Sequence, residues 1–148
     1  MPTQGTLLSP QQIIDAAKAP ELAYNDKNWT AVRASMTSDV VYDEVGTHRR
    51  VQGTDQVIAL WQGWAKALPD SRCIFHGAIA SGSSVSLELT WHGTHTGPLE
   101  TPAGTIEPTG KPIEIRACVV CELEGDKTRV QRHYFDMATL LRQIGVAG

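Results

Sequence analysis

The sequence lacks the features that mark several specialised classes of protein. None of its 148 residues belongs to an apolar run approaching the length of a membrane span, and residues 1–5 do not begin a basic and apolar leader. Lysine and arginine are scattered along a chain of net charge -3, without the basic patch of a nucleic-acid-binding protein. Phosphate-binding glycine loops, nucleotide fingerprints and serine or cysteine nucleophile motifs are not evident. We therefore expect a cytoplasmic protein whose partners are neither nucleic acids nor membranes.

Cysteine is also scarce. Cys73, Cys118 and Cys121 are an odd number and lie in apolar, strand-like surroundings, which favours reduced thiols over a disulfide framework. The Cys118-x-x-Cys121 spacing could indicate a redox or zinc site, but side chains three apart on a strand point to opposite faces. We therefore expect neither a shared metal nor a disulfide there.

What is present is the composition of an ordinary globular domain. Hydrophobic residues make up 41% of the chain and charged residues 20%. A length of 148 residues is enough to bury one core and short for two. We therefore expect a single domain over residues 1–148.

Helical patterns fill the first part of the chain. Residues 9–12, Ser-Pro-Gln-Gln, predict a capping box at the start of a first helix, and Pro20 predicts a kink or break in it. A second, short amphipathic helix is predicted to end near Ser38. The clearest apolar stripe predicts a helix from Thr54 to the stop at Pro69.

Strand patterns fill most of the remainder. The predicted strands cover residues 40–45, 73–80, 85–95, 113–123 and 128–135. A final short helix is predicted to end at Gly145. The last four strands read as an antiparallel meander, and helices before strands predict an α+β fold with the helices on one face of a curved sheet.

Five stretches of this sequence resemble the SnoaL-like polyketide cyclase and ester cyclase family. In matching order and spacing they are residues 39–42, 91–97, 108–112, 132–136 and 140–145. The resemblance implies the cone-shaped α+β fold of nuclear transport factor 2 and ketosteroid isomerase, in which helices pack on a curved antiparallel sheet and enclose a deep, mostly apolar pocket. It also implies a homodimer and chemistry that needs neither a metal nor an organic cofactor.

The resemblance implies ring closure by intramolecular aldol condensation, with one acidic residue as general acid and base. Such a residue needs a raised pKa, which an apolar cavity provides. Asp136 is the first candidate, since it matches the family's terminal aspartate, but it also directly precedes a helix that it could cap instead. His133 is the second catalytic candidate, although it shares a face with Asp136 only if the strand end turns. Asp43 and Glu44 are alternative carboxylates, because one of two neighbours on a strand points inward.

Aromatic and histidine side chains are the candidates for substrate binding. Tyr42, Trp91 and Tyr134 would suit the wall of a pocket for a flat ligand, although core packing would use them equally well. His92 and His95 form an H-x-x-H pair that diverges on a strand, and no nearby ligand completes a zinc site, so we expect no metal there. Either histidine could hydrogen-bond a substrate carbonyl.

The sequence is compatible with three functions. The leading hypothesis is a cofactor-independent cyclase or isomerase of a polyketide-like or other hydrophobic carbonyl compound. Many relatives carry Glu-x-Trp before the terminal aspartate, where this chain has Gln131 and His133, so the activity itself is not fixed by the resemblance. The alternatives are a non-catalytic binding or dimerisation module and an epoxide-type hydrolase, which would need two interacting carboxyl groups in the pocket.

Overall fold

The structure is a computed structural model that describes residues 7–146. The prediction of a cytoplasmic protein depends partly on residues 1–5, which lie outside the described residues. Within these residues the helices are α1 Pro10–Asn25, α2 Trp29–Ala34, α3 Thr54–Ala67 and α4 Met137–Gln143. The strands are β1 Met36–Glu44, β2 Arg49–Gln52, β3 Arg72–Ser81, β4 Ser84–Thr94, β5 Leu99–Thr101, β6 Gly104–Ile106, β7 Pro112–Glu124 and β8 Lys127–Phe135. No helix of the described residues combines the length and apolar character needed to cross a membrane.

Six strands form one sheet in the order β2-β1-β8-β7-β4-β3. The predicted meander is present, since β3, β4, β7 and β8 pair antiparallel with their neighbours. The sheet as a whole is mixed and not antiparallel as predicted, because β1 runs parallel to β8. The long connection between β1 and β8 permits this arrangement, which a tight hairpin would forbid.

The first helix begins as predicted and does not break. The Ser9 hydroxyl accepts from the backbone N–H of Gln12, and the Gln12 side chain accepts from the backbone N–H of Ser9. The helix continues through Pro20 to Asn25. Pro20 itself is buried, so contacts on the packed face offset the hydrogen bond that the proline ring removes.

The core lies between the helices and the inner face of the sheet. It consists of three hydrophobic clusters, and the partly buried Trp91 packs against all three. The loop after β4 is held against α3 at Gly97, where an added Cβ would lie 1.9 Å from the carbonyl oxygen of Lys66. These contacts place β4, β8, α1 and α3 around one internal space.

Candidate functional site

An internal cavity of about 70 Å³ lies between the helices and the inner face of the sheet. Its walls are almost entirely apolar and aromatic, with two carboxyl groups, one imidazole and a few hydroxyl groups among them. The lining residues are Glu21, Tyr24, Tyr42, Glu44, Trp61, Trp64, Leu68, Ser71, Trp91, Ile113, Ile115, His133, Phe135 and Leu140. Such a surface is typical of a site for a hydrophobic small molecule with a few polar groups.

Glu21 is one of the two buried carboxyl groups of the cavity wall. It lies on α1 and is 1% exposed, and its Oε1 accepts from Nε2 of Gln131 at 3.1 Å. Burial disfavours the charged form and raises the pKa of Glu21 from 4.5 to about 8. Glu21 is not among the residues predicted from the sequence, although it follows Ala17 by four residues and precedes Tyr24 by three, which places it on the apolar face of α1.

Two hydroxyl groups form a second polar feature of the cavity wall. The oxygens of Tyr24 and Ser71 are 2.6 Å apart. Burial raises the pKa of Tyr24 to about 12, so its phenol keeps its proton near neutral pH. One O–H of the pair is used in their mutual hydrogen bond. The other has no acceptor among the described residues, and it can donate to a ligand.

Glu44 lies on β1 and is held by several donors. Tyr42 and Glu44 are two residues apart, so both side chains point inward, while Asp43 points away from the cavity. Trp64 donates its indole N–H to Oε2 at 2.9 Å. Arg49 donates to Oε1 at 2.7 Å. The structure therefore identifies Glu44 as the inward carboxyl of the predicted pair.

His133 lies in the cavity wall between two aromatic side chains. Its Nδ1 is 2.8 Å from the Tyr42 hydroxyl, and its Nε2 accepts from the Trp91 indole at 3.1 Å. Burial lowers the pKa of His133 from 6.5 to about 4, which the nearby Glu44 only partly opposes. The imidazole is therefore neutral near neutral pH.

Asp136 lies outside the cavity and caps α4. Its carboxylate accepts from the backbone N–H of Ala138 at 3.1 Å and from the Thr139 hydroxyl at 2.7 Å. The hydrogen bond from Thr139 lowers the pKa of this exposed carboxyl below 3.8. The structure thus shows the capping geometry that the sequence left open, because the chain turns into α4 directly after β8.

Three other predicted binding residues also lie outside the cavity. Tyr134 points to the outer face of the sheet, since it alternates with His133 on β8, and it is 42% exposed. His92 lies at the surface with Nδ1 3.8 Å from a carboxylate oxygen of Glu114. His95 directly follows β4 and is buried against the loop after β6, where its Nδ1 accepts from the backbone N–H of Thr109.

The side chains of the two predicted pairs lie apart. His92 lies on β4 and His95 in the loop directly after it, and the two have different surroundings. Cys121 is buried and Cys118 faces the other side of β7. In residues 7–146, no three side chains of His, Cys, Asp and Glu form a group that could hold a metal ion.

Several solved structures are similar to this one. A protein from Jannaschia sp. CCS1, assigned as a SnoaL-like polyketide cyclase, has a TM-score of 0.83 at 16% identity over 95% of this chain and 98% of that chain. A Catenulispora acidiphila protein with a ketosteroid isomerase-like fold has a TM-score of 0.75 at 16% identity, over 89% and 93% of the two chains. A LEH-like epoxide hydrolase from M. tuberculosis has a TM-score of 0.70 at 21% identity, over 91% and 90%.

These likenesses establish the fold, which is that of nuclear transport factor 2 and ketosteroid isomerase. No curated protein matches the chain in sequence. The sequence profile of the SnoaL-like polyketide cyclases matches residues 14–144, which confirms the predicted resemblance over nearly the whole chain. The chain belongs to the SnoaL-like polyketide cyclase family.

Proposed function

We propose that this protein is a cofactor-independent cyclase or isomerase that moves a proton on a hydrophobic carbonyl compound bound in the cavity. Family membership supports a cyclase or isomerase role in general. The observation that carries the finer proposal is Glu21, a buried carboxyl in an aromatic cavity with a pKa raised to about 8. A carboxyl group with a pKa near the working pH can both take up and release a proton.

The reaction begins with proton removal from the carbon next to a carbonyl group. The Glu21 carboxylate takes this proton, and the electron pair moves to the carbonyl oxygen as an enolate. Tyr24 lies three residues after Glu21, so both side chains lie on one face of α1. The hydroxyl pair of Tyr24 and Ser71 can therefore donate a hydrogen bond to the enolate oxygen.

Two outcomes are possible from the enolate. In a cyclase, the enolate carbon attacks a second carbonyl of the same molecule, and protonated Glu21 returns the proton to the new alkoxide. In an isomerase, Glu21 returns the proton to a different carbon. In both reactions the atoms and electrons balance without an added oxidant or cofactor.

The proposal gives the remaining candidates different roles. Trp91 and Tyr42 line the cavity and contact the ligand. His133 is neutral and takes part by hydrogen bonding. Asp136 is the cap of α4 and not the proton-transfer group, because it is exposed and outside the cavity.

Two carboxyl variants test this assignment on a panel of hydrophobic diketones and polyketide esters. Glu21→Gln keeps the size and hydrogen bonding of the side chain and removes its proton transfer, so turnover should fall on the order of 10²–10⁴-fold. Asp136→Asn is the matched control, because asparagine also caps helices and turnover should persist. An active Glu21→Gln protein, or equal losses in the two variants, would refute the assignment.

Epoxide hydrolysis is the second candidate, because two carboxyl groups, Glu21 and Glu44, line the cavity. One solved structure of this fold is a LEH-like epoxide hydrolase. The reaction needs a carboxylate with room to bind a water molecule, whereas Glu44 already accepts five hydrogen bonds. Diol formation from cyclohexene oxide that disappears in Glu44→Gln would favour this candidate over the first.

We also propose that the protein works in the cytoplasm as a homodimer, the assembly that the resemblance to the cyclases implies. Sedimentation equilibrium gives the mass of the assembly directly. A monomer that binds ligands without converting them would instead favour the non-catalytic binding module.

A further inference from the structure

Four residues of the cavity wall form one directed chain of hydrogen bonds. An indole N–H can only donate, so Trp91 donates to Nε2 of His133 at 3.1 Å. Nε2 is therefore the acceptor, and the neutral imidazole carries its hydrogen on Nδ1. Nδ1–H then donates to the hydroxyl oxygen of Tyr42, 2.8 Å away.

The chain ends at Glu44. The Tyr42 hydroxyl accepts from His133, so its own hydrogen is available to Oε2 of Glu44 at 3.2 Å. Trp64 donates to the same oxygen. Arg49 donates twice to the other oxygen, Oε1. Since the Glu44 carboxylate only accepts, it sets the direction of each hydrogen bond as far as the imidazole.

We propose that Glu44 is a positioning residue that acts through Tyr42 to hold His133 as the Nδ1–H tautomer, so that the Nε2 lone pair faces the cavity as a hydrogen-bond acceptor. In this structure Trp91 uses that acceptor. A ligand hydroxyl group, such as a phenol or enol, binds it in place of the indole N–H. The cavity then offers an acceptor at His133 and a donor at the hydroxyl pair of Tyr24 and Ser71.

The role of Glu44 has to be separated from that of Trp91, because an indole donor at Nε2 also favours the Nδ1–H tautomer. Nitrogen-15 NMR of the imidazole distinguishes the two tautomers in the folded protein without ligand. In Trp91→Phe the chain from Glu44 is intact, and we expect His133 to keep its hydrogen on Nδ1. A mixture of tautomers in this variant would overturn the proposal.

Adding Glu44→Gln to Trp91→Phe should change the tautomer. The amide oxygen is expected to face Arg49 and Thr47, because these two residues donate three hydrogen bonds to Oε1 and Trp64 donates only one to Oε2. The amide N–H then donates to Tyr42. Tyr42 must then donate to Nδ1, so the Nε2–H form should become the major one. Retention of the Nδ1–H form would show that Glu44 does not control the imidazole.

Two further variants keep the test decisive. Trp64→Phe, on the same Trp91→Phe background, removes another donor to Oε2 of Glu44 and should leave the Nδ1–H form unchanged. Tyr42→Phe, also combined with Trp91→Phe, cuts the chain while preserving the ion pair of Glu44 with Arg49, so it should shift the tautomer even if Glu44→Gln does not fold. A change of the His133 tautomer with Trp64→Phe, or no change of it with Tyr42→Phe, would contradict the proposal.

The ligand part of the inference rests on the proposed use of the cavity, and phenol and toluene test it. In Trp91→Phe, phenol should shift the Nε2 resonance of His133 and toluene should not. The preference for phenol should fall on the order of five-fold when Glu44→Gln is added, as expected for one lost hydrogen bond. An unchanged preference would overturn the acceptor role. A failure of Glu21 as proton-transfer group would leave the tautomer result intact, so the two proposals fail separately.

Discussion

Replacing Glu21 with glutamine should change how the free energy of unfolding depends on pH. Burial raises the pKa of Glu21 from 4.5 in the unfolded chain to about 8 in the folded protein. Between these values the folded state keeps a proton that the unfolded state has released. Stability falls with rising pH wherever the folded state binds more protons, so Glu21 destabilises the wild-type protein increasingly up to about pH 8.

The magnitude follows from the two pKa values. Each pKa unit corresponds to about 1.4 kcal/mol. Integration between about pH 5 and pH 8 gives a loss of about 3 kcal/mol in the wild-type protein that Glu21→Gln does not share. The glutamine is neutral at every pH, and its side chain can still accept from Gln131 where Glu21 does.

Urea unfolding of both proteins across this pH range measures the difference. The free energy of unfolding of Glu21→Gln should rise relative to wild type as the pH increases. Asp15→Asn on the exposed face of α1 is the control for removal of a negative charge from the same helix. Parallel pH profiles for wild type and Glu21→Gln would show that the Glu21 pKa is not raised, and would remove the basis of its acid/base role.

Other perturbations have equally defined outcomes. Burial lowers the pKa of His133 from 6.5 to about 4, so between these pH values the unfolded chain binds a proton that the folded protein does not. The free energy of unfolding should therefore fall by about 3 kcal/mol as the pH drops from 6.5 to 4. Urea unfolding of His133→Gln should show no such fall from this residue. Asp136→Ala should lower the midpoint of thermal unfolding through loss of the α4 cap, while the carbon-13 titration of the Glu21 carboxyl stays unchanged. Gly97→Ala should destabilise the protein, by at least about 2 kcal/mol, because the new Cβ would meet the backbone of Lys66 at 1.9 Å. Gly63→Ala lies on the exposed face of α3, where the new Cβ would meet no atom beyond the helix's own backbone within 4 Å, so it should instead stabilise by about 0.5–1 kcal/mol. Urea unfolding compares the two variants.

The local patterns predicted most of the fold, and the failures have physical causes. The capping box at Ser9 and the period-two strands depend on neighbours in sequence, and both are present. The parallel pairing of β1 with β8 depends on residues about ninety positions apart, which no local pattern reports. Pro20 predicts a kink or break in α1, yet the helix continues through it, because packing of the buried helix face outweighs the local effect of the proline ring. The four-residue strand β2 is mostly exposed and carries no apolar alternation that would reveal it.

The candidate site was predictable where strand alternation decided the direction of a side chain. One of Asp43 and Glu44 had to point inward, and the structure identifies Glu44. The same rule separates His133, in the cavity, from Tyr134 on the outer face, but it could not say which of the two was inside. That choice depends on which face of the sheet the helices cover. The register of β8 with its neighbours β7 and β1 places His133 opposite Val119 and beside Glu44, so His133 faces the cavity.

Glu21 and Asp136 show why matching a motif did not locate the acid/base candidate. The terminal aspartate of a family motif fixes a position in the chain, but proton transfer near neutral pH requires an environment that penalises the charged form. Asp136 stands at the start of α4, where a side-chain hydroxyl and a backbone N–H stabilise its negative charge and lower its pKa. Glu21 stands on the apolar face of α1, where one amide N–H is its neighbour and burial raises its pKa. A carboxyl residue that interrupts an apolar helical stripe is thus a better sequence signal for such a group than a carboxyl residue at a helix start, because only the interrupted stripe predicts loss of water around the charge.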